Sequence, residues 1–189
     1  MTMLVQTREE ISAQRAYSMI AMSTVQSFPP IADERSTVLI LGSMPGIASL
    51  QADQYYAHPR NQFWWLMGEL MGAGADLPYA KRMALLQQNG IALWDVLARC
   101  ERPGSLDSNI VEESIVANDF SLFYQRHPRI WRVFFNGSKA QSSYDQYVKP
   151  LLNGSDAHIE YLRLPSTSPA HASRPAADKL EAWRAIVGK

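Results

Sequence analysis

Thr37-Val38-Leu39-Ile40-Leu41-Gly42-Ser43-Met44-Pro45-Gly46 is the stretch whose reading decides the fold. Its first half is apolar, rich in β-branched residues and free of charge. A strand of that kind needs cover on both faces, as in a parallel sheet. Its second half packs two glycines and a proline into a tight loop whose backbone amides can face a ligand. Three further runs share the character of the first: residues 90–96, residues 131–135 halted by Asn136-Gly137, and residues 159–164 halted by Pro165. Helical patterns lie between them, over residues 61–71, 79–88, 112–125, 138–147 and 176–187. The first carries Phe63, Trp64, Met67, Leu70 and Met71 on its apolar positions, and the last carries Leu180, Trp183, Ile186 and Val187. Alternating strands and helices predict a three-layer α/β/α sandwich around a mainly parallel, four-stranded sheet.

The composition bounds the rest. The chain has 189 residues, 47% of them hydrophobic and 19% charged, with 18 Lys plus Arg balanced by 18 Asp plus Glu. That length suits one domain. The balance excludes a bulk polycation but leaves room for a local basic patch. Cys100 is the one cysteine, so an internal disulfide and a Cys-ligated zinc or iron–sulfur site are excluded. The thiol reads as passive, and a reducing, cytoplasmic setting fits it. No apolar run reaches the ~18–20 residues of a membrane span. Residues 1–25 read as a leader, either a short helix over 8–21 or poorly ordered chain, and residues 26–189 as one domain. Met19 and Met22 are alternative starts.

In an open parallel sheet, ligands bind beyond the carboxyl ends of the strands. Three segments fall there. The first is the loop Gly42-Ser43-Met44-Pro45-Gly46. The second is Tyr55-Tyr56-Ala57-His58-Pro59-Arg60-Asn61-Gln62-Phe63-Trp64, which crowds aromatic, amide and basic groups ahead of a helix. Aromatic faces stack on planar bases, and amides read base edges. Phe63 and Trp64 read as core anchors. The third is Leu164-Pro165-Ser166-Thr167-Ser168-Pro169-Ala170-His171-Ala172-Ser173-Arg174-Pro175, a stiff loop of small hydroxyl residues that leads into the last helix. Asp95 closes the second strand at the same edge, as a site residue or a local cap. Asn136-Gly137 reads as a turn.

Taken together, these residues resemble the uracil-DNA glycosylase superfamily. The first loop is similar to its motif 1, and residues 164–169 with His171 are similar to its motif 2. The Gly-Ser-Met-Pro-Gly loop, the Tyr-Tyr pair followed by Asn and Phe-Trp, and the Pro-Ser-Thr-Ser-Pro loop resemble the hypoxanthine-DNA (deoxyinosine) glycosylase branch. The resemblance runs from about Phe28 to the end. It implies monofunctional hydrolysis of the N-glycosidic bond of a flipped, deaminated nucleotide in base excision repair. Met44 stands where the superfamily places a catalytic Asp or Asn, and a thioether cannot orient water. In the resembled branch the essential Asn lies after motif 1, where Asn61 stands.

The resemblance thus implies that Asn61 is catalytic, and that Gly42, Ser43, Met44, Pro45, Gly46, Tyr56 and His58 contact the base. It implies that Ser166, Thr167, Ser168, Pro169, His171 and Arg174 contact DNA, with the 169–171 segment entering the gap left by the base. Lys139 is a further candidate for local positive charge. The implied partner is DNA containing deoxyinosine, or uracil, acted on by a monomer in the cytoplasm. No cofactor is expected, and no metal, since His58, His127, His158 and His171 show no ligand spacing. Two other readings compete: a non-catalytic lesion binder, suggested by Met44, and a Ser/His hydrolase built on Ser168 and His171, which lacks a Gly-x-Ser-x-Gly elbow.

Overall fold

A computed structural model describes residues 24–154, 156–171 and 174–188. Its centre is a four-stranded sheet of β2 (Val38–Gly42), β3 (Ile91–Asp95), β6 (Arg132–Asn136) and β7 (Glu160–Leu164), ordered β3-β2-β6-β7. All three pairings are parallel, and Val38, Ile91, Arg132 and Glu160 lie in one row. The four apolar runs of the sequence are these four strands.

Side chains alternate across the strands, so the sheet has two cores. Leu39, Leu41, Ala92, Trp94, Val133 and Phe135 pack on α4 (Phe120–Arg126) and α5 (Ser138–Tyr147) through Phe120, Phe123, Ala140 and Tyr144. Val38, Ile40, Ile91, Leu93, Phe134 and Leu164 pack on α2 (Phe63–Met71), α3 (Tyr79–Gln88) and α6 (Ala176–Trp183) through Phe63, Trp64, Met67, Leu86 and Trp183. A short helix α1 (Ile47–Ala52) follows the first loop. The result is the three-layer sandwich.

The sequence reading departs from the structure in two places. A second, antiparallel sheet of β1 (Thr24–Gln26), β4 (Leu97–Glu101) and β5 (Val116–Ala117) stands beside the first, in the order β1-β4-β5. Val25 is buried there, so the folded body includes Thr24 and Val25, which the sequence places in the leader. The rest of that leader, with its candidate helix, lies outside the described residues. The helix expected over 112–125 is a single turn (Glu112–Ser114), then β5, then α4. Val116 and Ala117 pair with β4, and Asp119 caps α4 by accepting from the Leu122 N–H at 2.9 Å. Periodicity alone does not reveal either event.

Candidate active site

Parallel register brings the four strand ends, Gly42, Asp95, Asn136 and Leu164, to one edge. Gly42 lies opposite Asp95, Asn136 opposite Leu164, and Leu41 opposite Phe135. Beyond this row is a cleft of about 550 Å³, lined by the first loop, the Tyr55–Asn61 segment, residues 105–108, Asp95, Asn136 and the last loop. Its size lies within the ~300–1,000 Å³ of small-molecule sites.

Asp95 lies at the base of the cleft and is 3% exposed. Among the described residues its Oδ2 has no hydrogen-bond partner, and neither does the buried hydroxyl of Tyr56. Burial, reinforced by Asp107 and opposed by Arg102, pushes the Asp95 carboxyl up to about 8. At neutral pH it is therefore an uncharged acid, holding a proton to donate. Gly42 explains how Asp95 and Tyr56 come so close to the strand: a Cβ there would collide with Asp95 Oδ1 and reach 3.0 Å from the Tyr56 hydroxyl. Tyr56 has φ 54° and stacks on Phe63 with centroids 4.1 Å apart.

The first loop is held from behind. The buried Arg102 side chain donates to the carbonyls of Met44, Pro45 and Gly104. Both Asp107 oxygens accept from Ser43 Oγ at 2.9 Å, and Ser105 Oγ accepts from the Ile47 N–H at 3.0 Å. Burial raises Asp107 above the ordinary carboxylate range, against the pull of Ser43 and Arg102. Met44 borders the cleft but belongs to the α4/α5 core.

Asn61 stands at the rim before α2. Its Oδ1 accepts from the Phe63 N–H at 2.9 Å, and its backbone N–H donates to His58 O at 2.8 Å. The Phe63 bond orients the side-chain amide, whose Oδ1 keeps one lone pair. Next to it, Gln62 N–H donates to Thr167 O at 3.0 Å, and Gln62 Oε1 accepts from Lys179 Nζ at 2.8 Å. Lys179, 1% exposed, also donates to His171 O at 2.9 Å. A buried cation thus ties the start of α2 to the last loop.

A sequence profile of the uracil DNA glycosylase superfamily matches residues 29–187. The chain belongs to this superfamily. A hypoxanthine DNA glycosylase of Methanosarcina acetivorans is 38% identical over 162 residues, which cover 85% of this chain and 96% of that protein. A hypoxanthine DNA glycosylase of Methanosarcina barkeri is 42% identical over 116 residues, covering 61% of this chain and 72% of the relative. The solution NMR structure of a Methanosarcina acetivorans protein described as a uracil DNA glycosylase superposes with a TM-score of 0.71 at 38% identity. That alignment covers 87% of this chain and 96% of the other.

Set against this superfamily fold, the sequence candidates divide. The cleft gathers Gly42, Ser43, Met44, Pro45, Gly46, Tyr56, His58, Asn61, Ser166, Ser168, Pro169 and His171. Thr167 does not reach it. It is fully buried, accepting from Asn136 Nδ2 and donating its N–H to Asn136 Oδ1, both at 2.9 Å, so it is a brace rather than a DNA contact. Arg174 is exposed and does not line the cleft. Lys139 is paired with Glu112, which also accepts from the Tyr147 hydroxyl, so its charge is largely compensated. Asn136 is more than a turn: it lines the cleft and fixes Thr167. Asp95 is a cleft residue and not a cap. The sequence signal for both is their position at the strand ends. Ser168 Oγ accepts from the Ala170 N–H at 3.3 Å and, among the described residues, makes no bond to the His171 ring, so the Ser/His hydrolase has no dyad.

Proposed function

We propose that the chain is a hypoxanthine-DNA glycosylase that hydrolyses the N-glycosidic bond of deoxyinosine after flipping the nucleotide out of the helix. One observation carries the reading: an amide held by a backbone N–H, Asn61, and a buried carboxyl with an unpartnered oxygen among the described residues, Asp95, border one nucleotide-sized cleft. The two relatives named hypoxanthine DNA glycosylase support it.

Flipping costs a few kcal/mol and is cheapest at weak pairs. In the cleft, Tyr56 has one face against Phe63 and stacks on the base with the other. Asp95 meets the base edge as a neutral acid, offering an O–H donor and a carbonyl acceptor to a lactam that presents N–H and C=O. An ionised carboxylate would offer acceptors only. Asn61 Oδ1 spends its remaining lone pair on a water and orients it toward C1′. An amide is a poor base, so this is positioning and not deprotonation. The water oxygen bonds to C1′ as the C1′–N9 bond breaks. The bond's electron pair leaves with the base, which ends with one water proton, and the sugar keeps the hydroxyl. The backbone of Ser43 to Gly46 and His58 complete the base side of the cleft.

Ser166 Oγ and Ser168 Oγ each accept a backbone N–H, from Ser168 and Ala170. Their own O–H protons are left to donate to phosphate oxygens. Pro169 and His171 lie alongside, and Arg174 adds exposed positive charge. Uracil is a second candidate base, because the solved relative is described as a uracil DNA glycosylase. The enzyme acts as a monomer, in the cytoplasm.

The test uses oligonucleotides with deoxyinosine or uracil, single-stranded and paired, followed by hot alkali to cut abasic sites. Asn61 Oδ1 also accepts the first N–H of α2, at Phe63, and losing one such hydrogen bond costs ~1 kcal/mol. Asn61→Ser, which keeps a side-chain oxygen for the Phe63 N–H, therefore accompanies Asn61→Ala. Deoxyinosine cleavage lost in both variants and kept in Met44→Ala is the expected result. Cleavage of uracil alone overturns the substrate. Lesion binding without any cleavage overturns the enzyme in favour of a binder.

A further inference from the structure

Residues 102–109 are not part of any segment the sequence marks as functional, yet they form one wall of the cleft. The loop is exposed along most of its length but anchored at its base. Arg102 is buried against three carbonyls, Asp107 is held by Ser43, Ser105 by the Ile47 N–H, and Asn109 Nδ2 donates to Pro103 O at 3.0 Å. Between Ser105 and Asp107, both tied to the first loop or to α1, stands Leu106. It is 53% exposed and lines the cleft mouth, and Ile47, 44% exposed, is a second apolar residue of the same rim. A large aliphatic side chain in water is ordinary when it stands alone on a surface. One presented by a rigid loop at the mouth of a nucleotide-sized cleft has a specific use.

Proteins that distort DNA insert Leu, Ile, Phe, Met or Pro side chains between base steps, unstacking them. A flipped nucleotide leaves a gap that must be filled to keep the base from returning. Of the 169–171 segment that the resemblance sends into this gap, Ala170 is small and His171 polar, and Pro169 alone is of the inserting kind, with a ring shorter than a leucine side chain. We infer that Leu106 is the apolar wedge that enters the base stack beside the extruded nucleotide, with the Arg102 and Asp107 clamp holding it rigid. Ile47, at the start of α1, lines the same cleft and adds a second exposed apolar side chain. The inference rests on the proposed base-flipping reading. It adds a second DNA-contacting element, distinct from motif 2.

A wedge matters in proportion to the stacking and pairing it must overcome. Deoxyinosine opposite cytosine keeps two hydrogen bonds, deoxyinosine opposite thymine is a wobble pair, and a single strand has little stack to open. Single-turnover cleavage of all three by wild type, Leu106→Ala and Leu106→Met decides the matter. The side chain is exposed, so both variants fold as wild type does. Leu106→Ala should slow cleavage opposite cytosine on the order of tenfold, less opposite thymine, and under about twofold on the single strand. Leu106→Met, which keeps the apolar length, should stay within about twofold throughout. An equal loss on all three substrates would make Leu106 part of the base pocket, and no loss on any would make it ordinary surface; either overturns the wedge. A parallel readout needs no cleavage: 2-aminopurine next to deoxyinosine or uracil should brighten on binding wild type and brighten less with Leu106→Ala. If wild type cleaves neither base, the proposed function fails, and the fluorescence still decides for or against the wedge.

Discussion

Replacing Asp95 by Asn tests whether an uncharged acid sits at the base of the cleft. The folded carboxyl titrates at about 8 against an ordinary 3.8. Between those values the folded protein keeps a proton that the unfolded chain has lost, so stability must fall as pH rises. The slope is about 1.4 kcal/mol per pH unit for this one group. By pH 7 the loss relative to pH 4 is on the order of 4 kcal/mol, and it levels off above the folded pKa. The amide in Asp95→Asn has the same shape and no titration. Other groups contribute to the pH dependence of the whole protein: Asp107 is raised, whereas Asp33 and Glu112 are lowered by Arg35 and Lys139. The informative quantity is therefore the difference between variant and wild type, from urea melts at intervals between pH 5 and 9. That difference should move in favour of Asp95→Asn as pH rises, flattening near 8. The facing groups are Asp107, Arg102, Tyr55 and Tyr56, and none of them is altered. Cleavage should follow the same logic. Wild type should lose activity as pH passes the folded pKa of Asp95, and Asp95→Asn, which offers a permanent N–H donor, should keep it. Parallel melting curves, or an alkaline limb unchanged in the variant, would refute a neutral Asp95.

Three other changes probe the same architecture. Gly42→Ala drives a Cβ into Asp95 and toward the Tyr56 hydroxyl, so it should cost about 1–3 kcal/mol in denaturant melts and suppress cleavage more than DNA binding. Lys179→Met leaves Gln62 Oε1 and His171 O without their buried donor; about 1–3 kcal/mol should be lost, and single-turnover cleavage should fall even at temperatures where circular dichroism shows full folding. Tyr144→Phe breaks the chain that runs from the Tyr124 hydroxyl through Tyr144 and Tyr161 to Asp156. It should cost about 1–3 kcal/mol and leave cleavage per folded molecule unchanged, because none of these residues lines the cleft.

What the sequence makes legible follows from range. The four central strands are continuous apolar runs because both their faces are covered, and that burial is written locally, residue by residue. The three loops are legible for a related reason: in a parallel sheet every strand's carboxyl end lies on one edge. β1 and β5 escape because they are three and two residues long and owe their state to pairing with β4. Asp95 and Asn136 stand out without a role, since one residue at a strand end looks the same whether it caps, turns or lines a cleft. Thr167 misleads for the opposite reason. Three small hydroxyl residues in a row read alike, and only the approach of Asn136 and Gln62 turns the middle one inward. The Arg102 clamp is invisible for want of proximity: it joins residues 57 and 58 apart in the chain.

Met44 is the residue that most invites a non-catalytic reading, and the structure gives it a different meaning. The thioether is 7% exposed and belongs to the α4/α5 core with Leu41, Trp94 and Phe135, so the backbone aims the side chain at position 44 into that core. The first loop then contributes shape and backbone rather than a reactive group, and Arg102 holds that shape from behind through the carbonyls of Met44 and Pro45. The polar amide stands instead at Asn61, where the Phe63 N–H holds its Oδ1 and a backbone hydrogen bond to His58 O holds the residue that carries it. Pinning costs the amide one lone pair and gives it a single orientation, which is what positioning a water requires. If that division of labour holds, Met44→Asn should not add activity to wild type. It should not rescue Asn61→Ala either, because a polar group turned toward the α4/α5 core has no fixed geometry at C1′. Rescue of Asn61→Ala cleavage to within about tenfold of wild type by Met44→Asn would show that the first loop can still supply the reactive side chain, and that the amide at the start of α2 is only one of two equivalent solutions.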